Sequence, residues 1–158
     1  MAELVWSESL RLNQPQMDHT HEEFVELLAT ARRAADADEL PRALGAFKRL
    51  LEHTIGHFAQ EERWMRATGF AAENCHSREH EMVLKVMHEV VRLINEESRW
   101  EPLRVFVGEL ALWFPQHAET MDAALAQHMA EFGFDPATGL TTKPLPEDPI
   151  LHCGGHCH

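Results

Sequence analysis

The chain has 158 residues, 44% of them apolar and 25% charged, which fits a single soluble globular domain with a sizeable core. Fourteen basic and 26 acidic side chains leave a formal net charge of −12, which opposes contact with phosphate backbones and argues against a nucleic-acid partner. No apolar stretch reaches the roughly 18 residues that a membrane-spanning helix needs, and MAELVWSESLRLNQ lacks the basic-then-apolar order of a signal peptide.

Residues 1–17 read as an irregular arm, with Trp6, Leu10 and Leu12 as anchors onto a core. In a first helical segment His21, Phe24, Val25, Leu28, Ala31 and Ala35 recur at helical spacing, and Asp36 to Glu39 followed by Pro41 marks a stop and restart. The second segment carries Leu44, Phe47, Leu51, Thr54, Phe58, Glu61 and Met65 and ends near Gly69. The third starts around Glu73 and runs through His76, His80, Val83, Leu84, Met87, Val91 and Ile94; Asn95 to Glu101 interrupts it. Pro102 opens the fourth, with Leu103, Phe106, Leu110, Trp113, Phe114, His117, Met121, Ala124 and Leu125, which stops near Gly133.

Nothing alternates with the period of two that marks a strand. Four amphipathic segments joined by short turns predict an all-α, up-down-up-down four-helix bundle over residues 1–133. Pro136, Pro144, Pro146 and Pro149 make residues 134–158 an irregular, extended C-terminal tail that could pack on the bundle.

Twelve histidines and no tyrosine are the unusual counts, and neutral imidazole is the commonest metal ligand. His57 and Glu61 are four residues apart, and so are His76 and His80; that spacing turns side chains by only about 40° around a helix, so each pair faces one way. Both pairs share a stripe with core residues, where a polar group without a partner is costly. A single such histidine reads as an ordinary core or surface residue; two pairs on separate helices point to a metal. The fourth segment adds His117 and Asp122, whose spacing of five places them about 140° apart on an ideal helix and supports the pattern less well. Pro115 removes a backbone donor nearby and predicts a kink. His21 adds a ligand from the first segment, while His19, two residues away, points elsewhere.

These residues resemble the hemerythrin family, in its single-domain bacterial form. Met17-Asp18-His19-Thr20-His21 looks like the family's first-helix motif, and His57 to Glu62 matches H-F-x-x-E-E with Met65 following. His76 to His80 matches H-x-x-x-H, Trp113 to Asp122 matches W-x-x-x-H-x-x-x-x-D, and Trp6-Ser7 resembles the N-terminal arm, so the likeness covers roughly residues 5–130. The resemblance implies a di-iron centre with an oxo or hydroxide bridge. His76, His80 and His117 would bind one iron and His21 and His57 the other, with Glu61 and Asp122 bridging. One coordination position is then left open for dioxygen. Two departures, Pro115 and Ala118 where relatives often carry aliphatic residues, predict a reshaped pocket and faster autoxidation.

Other residues read more plainly. His53 stacks one turn before His57 and stays an open alternative as a ligand; Glu62 reads as solvated, and His88 and His128 as surface or packing residues. Trp64, Trp113, Phe58 and Met87 read as core. Of three cysteines, Cys75 lies far along the chain from Cys153 and Cys157; this predicts a buried free thiol and a reducing, cytoplasmic setting rather than a disulfide framework. The terminal run of His152, Cys153, His156, Cys157 and His158 could bind an additional Zn, Cu or Ni ion.

The functional expectation is reversible dioxygen binding for storage, delivery or sensing, without catalysis, with dioxygen as partner and neither nucleic acid nor membrane. The alternatives are a di-iron oxidase, peroxidase or nitric-oxide-handling enzyme, and a metal-handling protein that uses the tail. The absence of tyrosine removes tyrosyl-radical chemistry, and the histidine-rich set differs from the glutamate-rich pattern of ferritin-type oxidases.

Overall fold

The computed structural model describes residues 3–152. Four rods pack in a square: α1 (Pro15–Asp36), α2 (Leu40–Ala67), α3 (Cys75–Glu97) and a broken fourth rod made of α4 (Glu101–His117), a π turn (Ala118–Asp122) and α5 (Ala123–Glu131). α1 packs on α2 and α4, and α3 packs on the same two. The protein is therefore the expected all-α four-helix bundle. Among the described residues no helix is long and apolar enough to cross a membrane.

Local chemistry sets the helix ends. α1 begins at Pro15, three residues earlier than the predicted arm allows, because proline pre-sets the first helical φ and the Gln14 side chain accepts from the Met17 N–H at 2.7 Å. α3 begins at Cys75 rather than Glu73. The Asn74 side chain accepts from the Ser77 N–H at 2.9 Å, and the Ser77 hydroxyl accepts from the Asn74 N–H at 2.9 Å, a reciprocal capping box. The arm is tied down by the Leu12 N–H, which donates to Asp18 Oδ1 at 2.7 Å, and Trp6 and Leu10 pack on the core.

The apolar interior comes in two parts. A larger cluster holds Phe24, Phe47, Phe58, Val83, Met87, Leu110 and Phe114, and a smaller one holds Met17, Trp64, Met65, Phe70, Leu125 and Met129. On α1 the boundary falls between Met17 and Phe24, on α2 between Phe58 and Met65, and on the fourth rod between Phe114 and Leu125. A buried layer of polar side chains fills that boundary. Each fully buried Phe, Leu or Met contributes about 1.5–3 kcal/mol, so the two clusters offset the cost of burying this layer.

The tail folds back onto the bundle. Gly133 turns the chain in the left-handed region (φ 60°), where a Cβ would collide with the side chain of Thr142. Ile150 then packs on the smaller cluster. The Ala71 N–H donates to Ile150 O at 2.9 Å, the Ile150 N–H to Gly69 O at 3.0 Å and the Cys75 N–H to Leu151 O at 2.9 Å.

Candidate metal centre

The boundary layer is built from His21 of α1, His57 and Glu61 of α2, His76 and His80 of α3, and His117 and Asp122 of the fourth rod. All seven are buried, the most exposed being His57 at 4%. Glu61 Oε2 lies 3.3 Å from His21 Nε2 and 3.0 Å from His57 Nε2, while Oε1 lies 3.4 Å from His76 Nε2 and 3.3 Å from His80 Nε2. Asp122 divides in the same way. Its Oδ2 is 3.1 Å from His21 Nε2, and its Oδ1 is 2.9 Å from His76 Nε2 and 3.1 Å from His117 Nε2. Each carboxylate thus turns one oxygen toward the His21 and His57 side and the other toward the side of His76, His80 and His117.

Two donor sets result, each with its atoms within 4.8 Å of one another: Glu61, His76, His80, His117 and Asp122, and His21, His57, Glu61 and Asp122. Many of these approaches are close without being hydrogen bonds. Glu61 Oε1, both Asp122 oxygens and His80 Nε2 are buried without a hydrogen-bond partner, and His76 Nε2 faces His117 Nε2 at 3.2 Å. Buried polar atoms normally find partners. Orphaned carboxylate oxygens and imidazole nitrogens aimed at shared points are what a cation would satisfy, and N/O donors of this kind suit iron, zinc or copper.

The electrostatics agree. Burial pushes the Glu61 and Asp122 carboxyls up, but the facing imidazoles outweigh it and hold both well below the usual carboxylate range. Burial pushes His21 down, but Asp122 and Glu61 override it and raise the imidazole to about 10. His117 is raised against burial by Asp122 and Glu79, whereas burial wins at His57 and lowers it. Two buried anions are therefore balanced by protons on imidazoles, a balance that a metal can replace.

The spacing of five between His117 and Asp122 is resolved by the π turn. Its Ala123 N–H reaches Ala118 O, an i→i+5 bond that brings residues five apart onto one face. Pro115, which has no N–H to give to the preceding turn, sits inside α4 just before it. Aromatic rings wall the layer. Phe114 packs edge-on against His21 with centroids 5.1 Å apart, and Phe24 meets His57 at 5.9 Å. Phe58 stacks on His80 at 3.8 Å and Trp113 on His117 at 4.4 Å.

All seven predicted ligands meet here. His53 does not join them: its Nε2 turns to Glu23 Oε1 at 3.5 Å. His19 is exposed beside Glu23, His88 is exposed, and His128 Nε2 bonds to Thr68 O at 2.7 Å. Sequence reasoning missed an outer ring. Glu62 places Oε2 3.4 Å from His80 Nδ1 rather than standing free in solvent. Glu79 accepts from His117 Nδ1 at 3.0 Å and from Trp113 Nε1 at 2.7 Å. The available signal was an acidic residue next to a ligand on α2 (Glu62 after Glu61) and on α3 (Glu79 before His80).

Cys75 corrects another expectation. It is disulfide-bonded rather than a free thiol, and its N–H donates to Leu151 O at 2.9 Å at the start of α3. His152 Nδ1 lies 3.4 Å from Cys75 Sγ. The rest of the proposed tail cluster, Cys153, His156, Cys157 and His158, lies outside the described residues.

Imidazoles and two shared carboxylates buried at the centre of a four-helix bundle define a metal-binding helical-bundle protein. The sequence profile of the hemerythrin HHE cation binding domain matches residues 14–129. The chain is 37% identical over 135 residues to a bacteriohemerythrin of Ralstonia nicotianae, covering 85% of this chain and 95% of that one. It is 28% identical over 144 residues to a bacteriohemerythrin of Pseudomonas paraeruginosa, covering 88% and 92%, and 26% identical over 144 residues to one of Stenotrophomonas maltophilia. No solved structure matches significantly. The chain belongs to the hemerythrin family.

Proposed function

We propose that the protein holds two irons in the buried layer and binds dioxygen reversibly, for storage, delivery or sensing. His76, His80 and His117 serve one iron, His21 and His57 the other, and Glu61 and Asp122 both. The observation that carries this reading is that Glu61 and Asp122 each place one oxygen in the donor set of His76, His80 and His117 and the other in the set of His21 and His57. A di-iron pair supplies the two electrons that dioxygen accepts on binding and returns on release.

The protein's own groups make that site asymmetric. Five donors serve one side and four the other, so a metal on the four-donor side would keep more room for a small ligand. Phe114 packs on His21 and Phe24 on His57, apolar rings that disfavour water and anions on that side. The carboxylates of Glu61 and Asp122 would halve the charge of two divalent ions held there. The test is anaerobic reconstitution with Fe(II), iron counting and absorption spectra taken with oxygen and after its removal. Two irons per chain and a band that appears and disappears with oxygen are expected. Steady consumption of oxygen with a co-substrate would replace this reading with an oxidase.

A further inference from the structure

We propose that Glu79 is a positioning residue: it accepts the Nδ1–H of His117, fixing the tautomer and ring orientation in which His117 Nε2 faces the metal pocket. The inference rests on the reading of the buried layer as a metal centre. A neutral imidazole carries one N–H, and to present a bare Nε2 to a cation it must carry that proton on Nδ1. Nδ1 then needs an acceptor, and Glu79 Oε1 stands 3.0 Å from it. On the other edge of the ring, Nε2 is 3.1 Å from Asp122 Oδ1 and 3.2 Å from His76 Nε2, inside the five-donor set.

Glu79 is itself held in place. The Trp113 indole N–H donates to the same Oε1 at 2.7 Å. That indole also stacks on the His117 ring with centroids 4.4 Å apart and planes 24° apart. Carboxylate, indole and imidazole thus form a closed unit linking α3 to α4, with Glu79 partly exposed on its outer side (29%). The backing is confined to the five-donor side. His80 Nδ1 has Glu62 at a longer 3.4 Å, whereas Nδ1 of His21 and of His57 is buried with no hydrogen-bond partner. Outer carboxylates of this kind orient a ligating imidazole and raise its basicity, and their loss typically weakens metal binding about 10–100-fold.

The experiment measures Co(II) affinity by chelator competition, and the hydrogen-exchange rate of the His117 Nδ1–H by NMR of the Co(II)-loaded protein. The parent, Glu79→Ala, Glu79→Gln and, as a charge control, the exposed Glu81→Gln are compared. Glu79→Ala is expected to lose about 10–100-fold in affinity and to exchange the Nδ1–H rapidly. Glu79→Gln, whose amide oxygen still accepts, restores slow exchange and most of the affinity, and Glu81→Gln changes neither. Unchanged exchange and affinity in Glu79→Ala overturn the proposal. So does a loss that Glu79→Gln fails to restore, since charge or folding alone would then explain it. A parent that takes up no Co(II) overturns the metal-centre reading itself, whereas a parent that loads normally confines any failure to Glu79.

Discussion

Glu61 is the side chain on which both donor sets depend, so Glu61→Gln is the sharpest perturbation. Its two oxygens approach four imidazoles at 3.0–3.4 Å, and it is 1% exposed. The amide keeps the size and removes one of two buried negative charges, which leaves the metal charge undercompensated in a site closed to water. Removing one partner of a buried ion pair costs about 3–5 kcal/mol; at about 1.4 kcal/mol per decade, metal affinity falls by about 10²–10⁴-fold. Anaerobic Fe(II) titration against a competing chelator reads this directly, with Glu22→Gln on the exposed face of α1 as the control for net charge. An iron stoichiometry and affinity for Glu61→Gln within about threefold of the parent would refute the reasoning, because the shared carboxylate would then carry no metal.

His57→Ala removes a donor from the four-donor set and is expected to abolish oxygen binding, whereas His53→Ala, beside Glu23, leaves it intact; the reverse outcome in oxygen spectra would exchange their roles. Metal uptake should release protons. The His21 imidazole, lowered by burial but raised further by Asp122 and Glu61 to about 10, is protonated at neutral pH and must give up its proton to a metal. Affinity therefore rises with pH, by about tenfold per unit for each proton displaced, and flattens above the pKa. Titration calorimetry in buffers of different ionisation enthalpy counts the protons, and pH-independent affinity contradicts the assignment. Asn74→Ala deletes the cap of the helix that presents His76 two residues later. It should cost about 1 kcal/mol, a fall of about 2–4 °C in Tm, and an unchanged melting curve would show that the box contributes nothing.

What could be read from the sequence was whatever repeats locally. The apolar stripes and the four-residue pairs His57–Glu61 and His76–His80 follow from the helical period, so the bundle and most of the buried layer were visible before any coordinates. His117 and Asp122 fitted that period poorly because the π turn at Ala118–Asp122 lies outside the ideal helix assumed. The roles of Glu79, Trp113 and Glu62 depend on how α3 meets its neighbours, a tertiary relation that no periodicity carries. That the tail could pack on the bundle was readable, but where it docks was not, for the same reason. Four prolines ruled out a helix, but the return of Ile150 to the smaller cluster and the disulfide at Cys75 depend on spatial fit.

The central claim is reversible dioxygen binding by a pair of irons shared through Glu61 and Asp122. Its most direct measurement is an oxygen balance on the fully reduced, iron-loaded protein, in which uptake is measured in a closed cell and recovery follows under vacuum. The account predicts one dioxygen taken up for every two irons and nearly all of it recovered intact over repeated cycles. Oxygen that is consumed and not returned, with the iron left ferric after the first cycle, would contradict it.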